Sequence, residues 1–218
     1  NAEQLEEEIL VEAREPAGLV TIGSLPSITN PMVGRLYKLL NDRYPGIRLK
    51  FLEGSSGQVE EWMADARIDI AILYRYSKTL SVREQHLATV DSYLIGPPGD
   101  KITANAEVPF AKLDQLPFIL PSAPNGLRAA LDSLARQERI TLEPVLEADS
   151  LPLQRSVVAE ARLYTVLPIH AVWQEVEQGQ LQAARIVSPE LQRTVSMALT
   201  RSKGPGRAVT AVASEIVP

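Results

Sequence analysis

The sequence predicts an α/β fold in which a parallel sheet is covered by helices on both faces. Short runs that are apolar at most positions, such as residues 68–73, alternate with segments whose apolar residues recur at helical spacing. Continuous apolar strands separated by helices favour a parallel sheet that is buried on both sides. With 218 residues, 45% of them hydrophobic, the chain is long enough for one large domain or for two lobes with their own cores.

The first half of the chain predicts an opening helix and then strands separated by helices. Apolar residues at helical spacing opposite a row of glutamates indicate a helix over residues 1–16, which is either a solvated terminal helix or the stub of a longer connecting helix. We expect strands at 19–22, 47–52 and 68–73. The helices between them are predicted by Met32, Val33, Leu36, Leu40 and Tyr44, and by Val59, Trp62, Met63 and Ala66.

The second half repeats this alternation. Strands are expected at 90–96, 118–120, 163–167 and 195–199. One helix is predicted to open at Ser150, with Pro152 in its first turn, which is where proline fits a helix. The other helices are predicted by Leu127, Leu131 and Leu134, by Val172, Trp173 and Val176, and by Val209, Val212 and Ile216.

The charge of the chain is concentrated at its start. Residues 1–15 contain six glutamates and one arginine, which accounts for the whole net charge of -5. The remaining residues are neutral, so we expect no nucleic-acid binding by this part of the protein, and any DNA contact must come from elsewhere. The acidic start does not resemble a signal peptide, and no run approaches the roughly 18 apolar residues of a membrane span. We therefore expect a cytoplasmic protein without membrane contact, although a mature exported protein would also lack its signal.

Catalytic and metal-binding patterns are missing from the sequence. The chain has no cysteine, which excludes disulfides, thiolate metal sites, cysteine nucleophiles and thiol redox sensing. His86 and His170 stand in unrelated contexts, and we interpret both as surface or capping residues. Because no Gly-x-Ser-x-Gly motif and no His-Glu-x-x-His spacing occurs, we predict no enzyme, no catalytic residue, no metal and no cofactor.

Two loops with small polar residues are candidates for ligand binding. In an open α/β sheet, ligands lie beyond the carboxyl ends of the strands, where helix N-termini present free N–H groups. The loop 24–30 follows the first strand, and Asn30 before Pro31 predicts the start of a helix. The loop 54–57 follows the second strand. Serine and asparagine are favoured at helix starts whatever the function, so helix capping is the alternative interpretation of both loops.

Four segments of the chain carry a family resemblance. The first joins Gly-Leu-Val-Thr-Ile-Gly-Ser at 18–24 with Arg-Tyr-Pro-Gly-Ile at 43–47 and Leu-Glu-Gly-Ser at 52–55. The others are Ala-Arg-Ile-Asp-Ile-Ala-Ile at 66–72, Leu-Asp-Gln-Leu-Pro-Phe-Ile-Leu at 113–120 with Gly-Leu-Arg at 126–128, and Tyr-Thr-Val-Leu-Pro at 164–168 with Gly-Gln-Leu at 179–181. In this order they resemble the effector-binding half of LysR-type transcriptional regulators. Ala161, Arg162 and Leu163 depart from the family, which has glycines just before Tyr164.

The resemblance implies a type II periplasmic-binding-protein fold, with two Rossmann-like lobes joined by two crossover strands. Residues 17–88 plus 193–218 would form lobe I, residues 89–192 would form lobe II, and residues 1–16 would be the end of a linker helix. A small organic effector, with an anion favoured, would bind between the lobes. DNA binding would belong to a winged helix-turn-helix preceding Asn1. The family further implies a homodimer through these domains and a tetramer in the full-length protein, and the lack of cysteine excludes its peroxide-sensing branch.

Two ligand contacts follow from the resemblance, and further candidates follow from their positions near the expected cleft. The family uses a hydroxyl at the start of the first helix and another after the second strand, which correspond to Ser27 and Ser55. Further candidates in lobe I are Ser24, Leu25, Ser56 and Arg75, and those in lobe II are Ser122, Ser150 and Thr165. Arg75 could pair with a ligand carboxylate, while an arginine after a strand is also commonly solvated. The alternative function on the same fold is a solute-binding protein of a transporter.

Overall fold

A computed structural model describes residues 15–76, 80–200 and 206–217. The helix predicted for residues 1–16 lies outside these residues except for positions 15 and 16, which are not helical. The structure is α/β, as predicted, with eleven strands and six α-helices among the described residues. Of the described helices, none is both long and apolar enough to cross a lipid bilayer.

The first sheet has five strands in the order β2-β1-β3-β11-β4. Strands β1 and β2 and strands β1 and β3 are parallel, whereas β11 is antiparallel to both β3 and β4. The prediction of a parallel sheet therefore holds for β1, β2 and β3 and is wrong for β11 and its neighbours, because apolar runs report burial on both faces and not strand direction. The strands are Gly18–Ser24 (β1), Ile47–Glu53 (β2), Ile70–Arg75 (β3), Glu84–Asp91 (β4) and Gln192–Leu199 (β11).

Helices cover both faces of the first sheet. Alternate residues of β3 belong to different cores, with Ile70 and Ile72 on one side and Ala71 and Leu73 on the other. The helices of this part are α1 (Pro26–Arg43), α2 (Ser56–Ala64) and α6 (Arg207–Ile216). Helix α1 begins at Pro26 and not near Asn30 as predicted, so Pro31 lies inside the helix.

The second sheet has four strands in the order β6-β10-β5-β9. They are Tyr93–Gly96 (β5), Glu107–Pro109 (β6), Thr165–Leu167 (β9) and Gln182–Val187 (β10). A separate parallel pair is formed by β7 (Phe118–Leu120) and β8 (Pro144–Glu147). The helices here are α3 (Gly126–Glu138), α4 (Leu151–Ala161) and α5 (Trp173–Glu177), together with the 3-10 turns Phe110–Leu113 and Ile169–Ala171.

The chain crosses between the two sheets twice. The strand predicted at 90–96 is in fact two strands, because β4 and β5 belong to different sheets and Ser92 between them is fully buried. The return passage runs from β10 to β11. We propose that the two sheets are the cores of the two lobes and that the chain passes from one lobe to the other near residues 89 and 193. Strand β4 continues slightly past residue 89, to Asp91.

Candidate functional site

A cavity of about 320 Å³ lies between the parts of the chain that carry the two sheets. This volume is at the lower end of the range that holds small organic ligands. The lining from the first part is Leu25, Pro26, Ser27, Glu53, Gly54, Ser55, Ser56, Gln58, Tyr74, Tyr76 and Arg193. The lining from the second part is Pro121, Asn125, Leu127, Asp149, Ser150, Leu151, Gln154 and Leu167.

Four helices begin at this cavity. The residues that precede them, Leu25, Ser55, Asn125 and Ser150, all line it. None of the four helices has an acidic residue in its first turn, although such residues are favoured there. The partial positive charge of the helix ends is therefore not neutralised within the first turns and favours a negatively charged or carbonyl group in the cavity.

Three of these helix starts have side-chain caps. The Ser55 hydroxyl accepts a hydrogen bond from the Gln58 N–H at 3.3 Å, and the Gln58 side chain accepts one from the Ser55 N–H at 2.9 Å. Asn125 accepts from the N–H of Leu127 at 2.9 Å. The Ser150 hydroxyl accepts from the Leu153 N–H at 3.4 Å. The capping interpretation thus holds for Ser55 and Ser150, which have a structural role in addition to their position in the cavity wall.

Five of the nine predicted contact residues line the cavity. Ser27 donates its hydroxyl to the Tyr74 hydroxyl at 3.3 Å. The Ser56 hydroxyl accepts from the Gly126 N–H at 3.4 Å and so joins α2 to α3 across the cavity. The five residues are Leu25, Ser27, Ser55, Ser56 and Ser150.

The other four predicted residues do not line the cavity. Ser24 and Thr165 are fully buried, and their hydroxyl oxygens have no hydrogen-bond partner among the described residues. Ser122 donates its backbone N–H to Asp149 at 3.0 Å. Arg75 lies at neighbouring surface cavities and pairs with two carboxylates, those of Glu60 and Glu84.

Arg193, which the sequence did not single out, is the buried cation of this site. It stands near the start of β11 and is 3% exposed. Its Nε and Nη2 donate to the Ser92 hydroxyl at 3.2 and 2.9 Å, and its guanidinium lies over the rings of Tyr74 and Tyr76. The only sequence signal for the burial of Arg193 is that it lies on the same strand face as Val195, which predicts that its side chain points toward the core.

A second feature that the sequence missed is a hydrogen-bonded network around His170. The Tyr74 hydroxyl is 3.0 Å from His170 Nε2, and the Ser27 backbone acts on the same histidine by raising its pKa slightly against the effect of burial. Burial lowers the pKa of His170 below its usual 6.5, and the charge of Arg193 lowers it further. Burial raises the pKa of Tyr74 to about 12. The interpretation of His170 as a surface or capping residue is therefore wrong, because the residue is half-buried and its ring hydrogen-bonds Tyr74 of the first part.

This arrangement suits the recognition of a ligand. In residues 15–76, 80–200 and 206–217, no group of three or more histidine, aspartate and glutamate side chains is placed to hold a metal ion. The wall instead combines hydroxyls, amides, two tyrosine rings, one buried arginine and the exposed carboxylates of Glu53 and Asp149. His86, the other histidine, is exposed and hydrogen-bonds Thr89 at 3.0 Å.

Comparison with known proteins identifies similar chains. A family model described as the LysR substrate binding domain matches residues 13–217. The nitrogen assimilation regulatory protein nac of Escherichia coli is 25% identical over 191 residues, which cover 84% of this chain and 59% of that protein. The chain thus spans less than two thirds of the length of this relative.

Solved structures share the fold at low sequence identity. The regulatory domain of CcmR from Synechocystis, solved in complex with 2-PG, has a TM-score of 0.81 at 17% identity, covering 91% of this chain and 95% of that one. A full-length OxyR variant from Pseudomonas aeruginosa has a TM-score of 0.79 at 20% identity, covering 99% and 74%. These likenesses support the type II periplasmic-binding-protein-like fold.

Proposed function

This chain belongs to the LysR-type transcriptional regulators as their effector-sensing domain, and on that premise we propose that it binds a small organic molecule between its two lobes. The observation that carries the proposal is the cavity of about 320 Å³ at which four helices begin. Its size suits a metabolite, and the helix ends favour an anion. The alternative, a solute-binding protein of a transporter, is not favoured, because the relatives are named as regulators of transcription or of nitrogen assimilation.

We propose that binding changes the relative angle of the lobes and thereby the packing of subunits. An effector shifts this balance only by its difference in affinity for the two arrangements. Transcription would be controlled through a DNA-binding region outside these 218 residues, in a protein that works in the cytoplasm. We further propose a homodimer through these domains and a tetramer in the full-length regulator.

The proposed contacts are the predicted residues that line the cavity. Ser27 is the clearest of them, since its hydroxyl makes one hydrogen bond, of 3.3 Å, among the described residues and caps no helix. Ser55 and Ser150 can also contact an effector through their hydroxyls, but each already accepts a capping bond. Leu25 and Ser56 complete the wall on the side of α1 and α2.

A thermal-shift screen of small carboxylates and aromatic acids tests the proposal, because a ligand that binds the folded state raises the unfolding midpoint. For a compound found in this way, Ser27→Ala is expected to weaken binding by about 1 kcal/mol or more, through the loss of a buried hydrogen bond. Calorimetry measures the affinity. The matched control is Ser156→Ala on the exposed side of α4, which should leave the affinity unchanged.

Ser55→Ala is a less specific variant, since it removes the α2 cap and should also cost about 1 kcal/mol of stability. Binding that is unchanged in both Ser27→Ala and Ser55→Ala would move the effector site away from this wall. A screen in which no compound raises the unfolding midpoint would contradict the sensing function itself.

A further inference from the structure

We propose that Arg193 anchors the oxyanion group, a carboxylate or a phosphate, of a small organic effector in this cavity. The inference rests on the proposed function and specifies the chemical class of the ligand. Arg193 is one of the residues that line the cavity although it is 3% exposed, so a ligand that fills the cavity would lie beside this residue.

The hydrogen bonds of Arg193 leave one edge of the guanidinium available. An arginine has five N–H donors in a fixed planar arrangement. Nε and one hydrogen of Nη2 are used by the Ser92 hydroxyl, at 3.2 and 2.9 Å. Both hydrogens of Nη1 and the second hydrogen of Nη2 have no acceptor in the described part of the chain. These two nitrogens form the end-on fork that binds a carboxylate or phosphate through two parallel hydrogen bonds.

The charge of Arg193 is also uncompensated. None of the described carboxylates lies within ion-pair distance of it, and the two that line the cavity, Glu53 and Asp149, are exposed. Its closest aromatic neighbours are the rings of Tyr74 and Tyr76, at 5.0 and 5.6 Å from Cζ, and burial keeps both hydroxyls neutral by raising their pKa. A buried cation is costly without a partner, and a bound anion would supply one.

Two tyrosine rings flank the guanidinium, whose Cζ lies over the Tyr74 ring at 5.0 Å and over the Tyr76 ring at 5.6 Å from the ring centres. An anion must therefore reach the free edge of the guanidinium from a direction that these rings do not occupy. The four helix starts at the cavity wall add positive potential in the same space. The hydroxyls of Ser27 and Ser56 and the amide of Gln154 line the rest of the cavity and can bind polar groups of the same molecule.

Arg193 also lies where the chain crosses between the sheets. Its partner Ser92 belongs to one passage, and the Ser92 N–H donates to the Leu191 carbonyl in the other at 3.0 Å. An oxyanion on the free edge of Arg193 would therefore contact the residue whose hydrogen bond to Ser92 joins the two crossing segments. Ligand binding would in this way act on the segments about which the lobes would change their angle.

The test compares acids with their neutral counterparts on the whole chain: benzoate with benzamide, glycolate with glycolamide, and glycerol phosphate with glycerol. Calorimetry at constant ionic strength measures binding. We expect at least one acid to bind at least about tenfold more tightly than its neutral counterpart, because a charge-assisted pair of hydrogen bonds is present only with the acid. The carboxylate and phosphate pairs distinguish the two kinds of oxyanion.

Variants of Arg193 then identify the anchor. Arg193→Gln is expected to weaken acid binding at least about tenfold and to remove the preference for the acid, and Arg193→Lys should retain charge but lose part of the affinity. Arg136→Gln, at an exposed arginine of α3, makes the same charge change away from the cavity and should have no effect. If Arg193→Gln does not fold, Arg193→Lys and the acid and neutral pairs decide the question.

Equal binding of an acid and its neutral counterpart, or acid binding that survives Arg193→Gln, would overturn the inference and leave the sensing function intact. Failure of all three acids to bind would overturn it too. The sensing function would then stand if the wider thermal-shift screen still found a ligand lost in Ser27→Ala, and would fall if it found none.

Discussion

The side chain of Tyr74 contacts three other residues, Ser27 and Arg193 in the cavity wall and His170 outside it. Its hydroxyl is 3.3 Å from the Ser27 hydroxyl and 3.0 Å from His170 Nε2, and its ring lies under the Arg193 guanidinium. With its pKa raised to about 12 by burial, the phenol stays protonated and can donate its hydrogen to the neutral histidine. Substituting any one of these residues should therefore alter the contacts that the others make with Tyr74.

His170 should make the folded chain less stable as the pH falls below about 6.5. Its folded pKa is lowered, first by burial and then by Arg193, from the 6.5 of the unfolded chain. Well above pH 6.5 neither state holds this proton, and the full stability is present. As the pH falls from about 6.5 toward the lowered value, the unfolded state gains protons first, so the free energy of unfolding decreases.

The measurement is the unfolding midpoint of the chain and of His170→Gln between about pH 8 and pH 5. His170→Gln cannot take up this proton, so its midpoint should fall less steeply below about pH 6.5, while both proteins share the titration of the other acidic groups. Parallel pH profiles for the two proteins would show that His170 is not held neutral in the folded state.

At the scale of one element, helix α1 contains a proline, a residue that weakens the interior of a helix because it cannot donate a helical hydrogen bond. Pro31 lies inside α1 and has no N–H, so it cannot donate to the Ser27 carbonyl four residues earlier. This leaves the Ser27 carbonyl without its helical donor. The 3-10 turn Ile169–Ala171 packs against α1, and the Ser27 backbone raises the pKa of His170 in that turn, against the larger lowering by burial.

Strand β1 has no room for a side chain at Gly23. A Cβ there would lie 2.6 Å from Ile68 Cδ1 and 3.2 Å from Val59 Cγ1, both fully buried. Gly23→Ala should therefore lower the free energy of unfolding by about 1–3 kcal/mol, the usual cost of overpacking a core. Denaturant unfolding measures the change.

The control is the same substitution at Gly34, where a Cβ meets nothing within 4 Å and the backbone is in the middle of α1. Gly34→Ala should raise stability by about 0.5–1 kcal/mol, because alanine favours the helix. Equal effects of the two substitutions would show that the packing of Ile68 on β1 is not as tight as these distances indicate.

At the scale of the whole molecule, two crossings of the chain and the side chain of Tyr76 connect the two sheets. Ser92 receives a backbone hydrogen bond from Ile186 at 3.0 Å and donates one to Leu191 at 3.0 Å. Tyr76 packs against the core of each lobe. Two covalent connections with a cavity beside them are what the proposed change of lobe angle on effector binding would require.

Several large apolar side chains remain exposed on a single copy of the chain. Tyr37 on α1 is 62% exposed and Trp173 on α5 is 53% exposed. We expect the domain to sediment as a dimer at micromolar concentrations and Tyr37→Arg to shift it toward the monomer, since a charge opposes burial of that face. Equilibrium sedimentation that showed a strict monomer for the unsubstituted chain over this range would contradict the proposed dimer.

Much of the fold could be predicted because the signals for single elements are local. The strands near 47–52 and 118–120 and the helix opening after Ser150 appear where apolar spacing and capping residues indicated them. The start of α1 could not be predicted, since Asn30-Pro31 has the composition of a helix start but Pro26 provides an earlier one. The antiparallel direction of β11 depends on the path of the return passage, which no local pattern records.

By itself the sequence determined the α/β class, the likeness to the LysR effector-binding domain and the two serine loops that lie at the cavity, of which Ser27 and Ser55 are members. Only the tertiary structure decided that Arg193 and Tyr74 meet at the cavity, that His170 hydrogen-bonds Tyr74, and that Ser24, Arg75, Ser122 and Thr165 do not line the cavity. The physical reason is the separation along the chain over which each kind of interaction acts. Capping and periodicity act between residues a few positions apart, whereas the cavity is built from contacts between distant segments, and the direction of a side chain there is set by packing and burial.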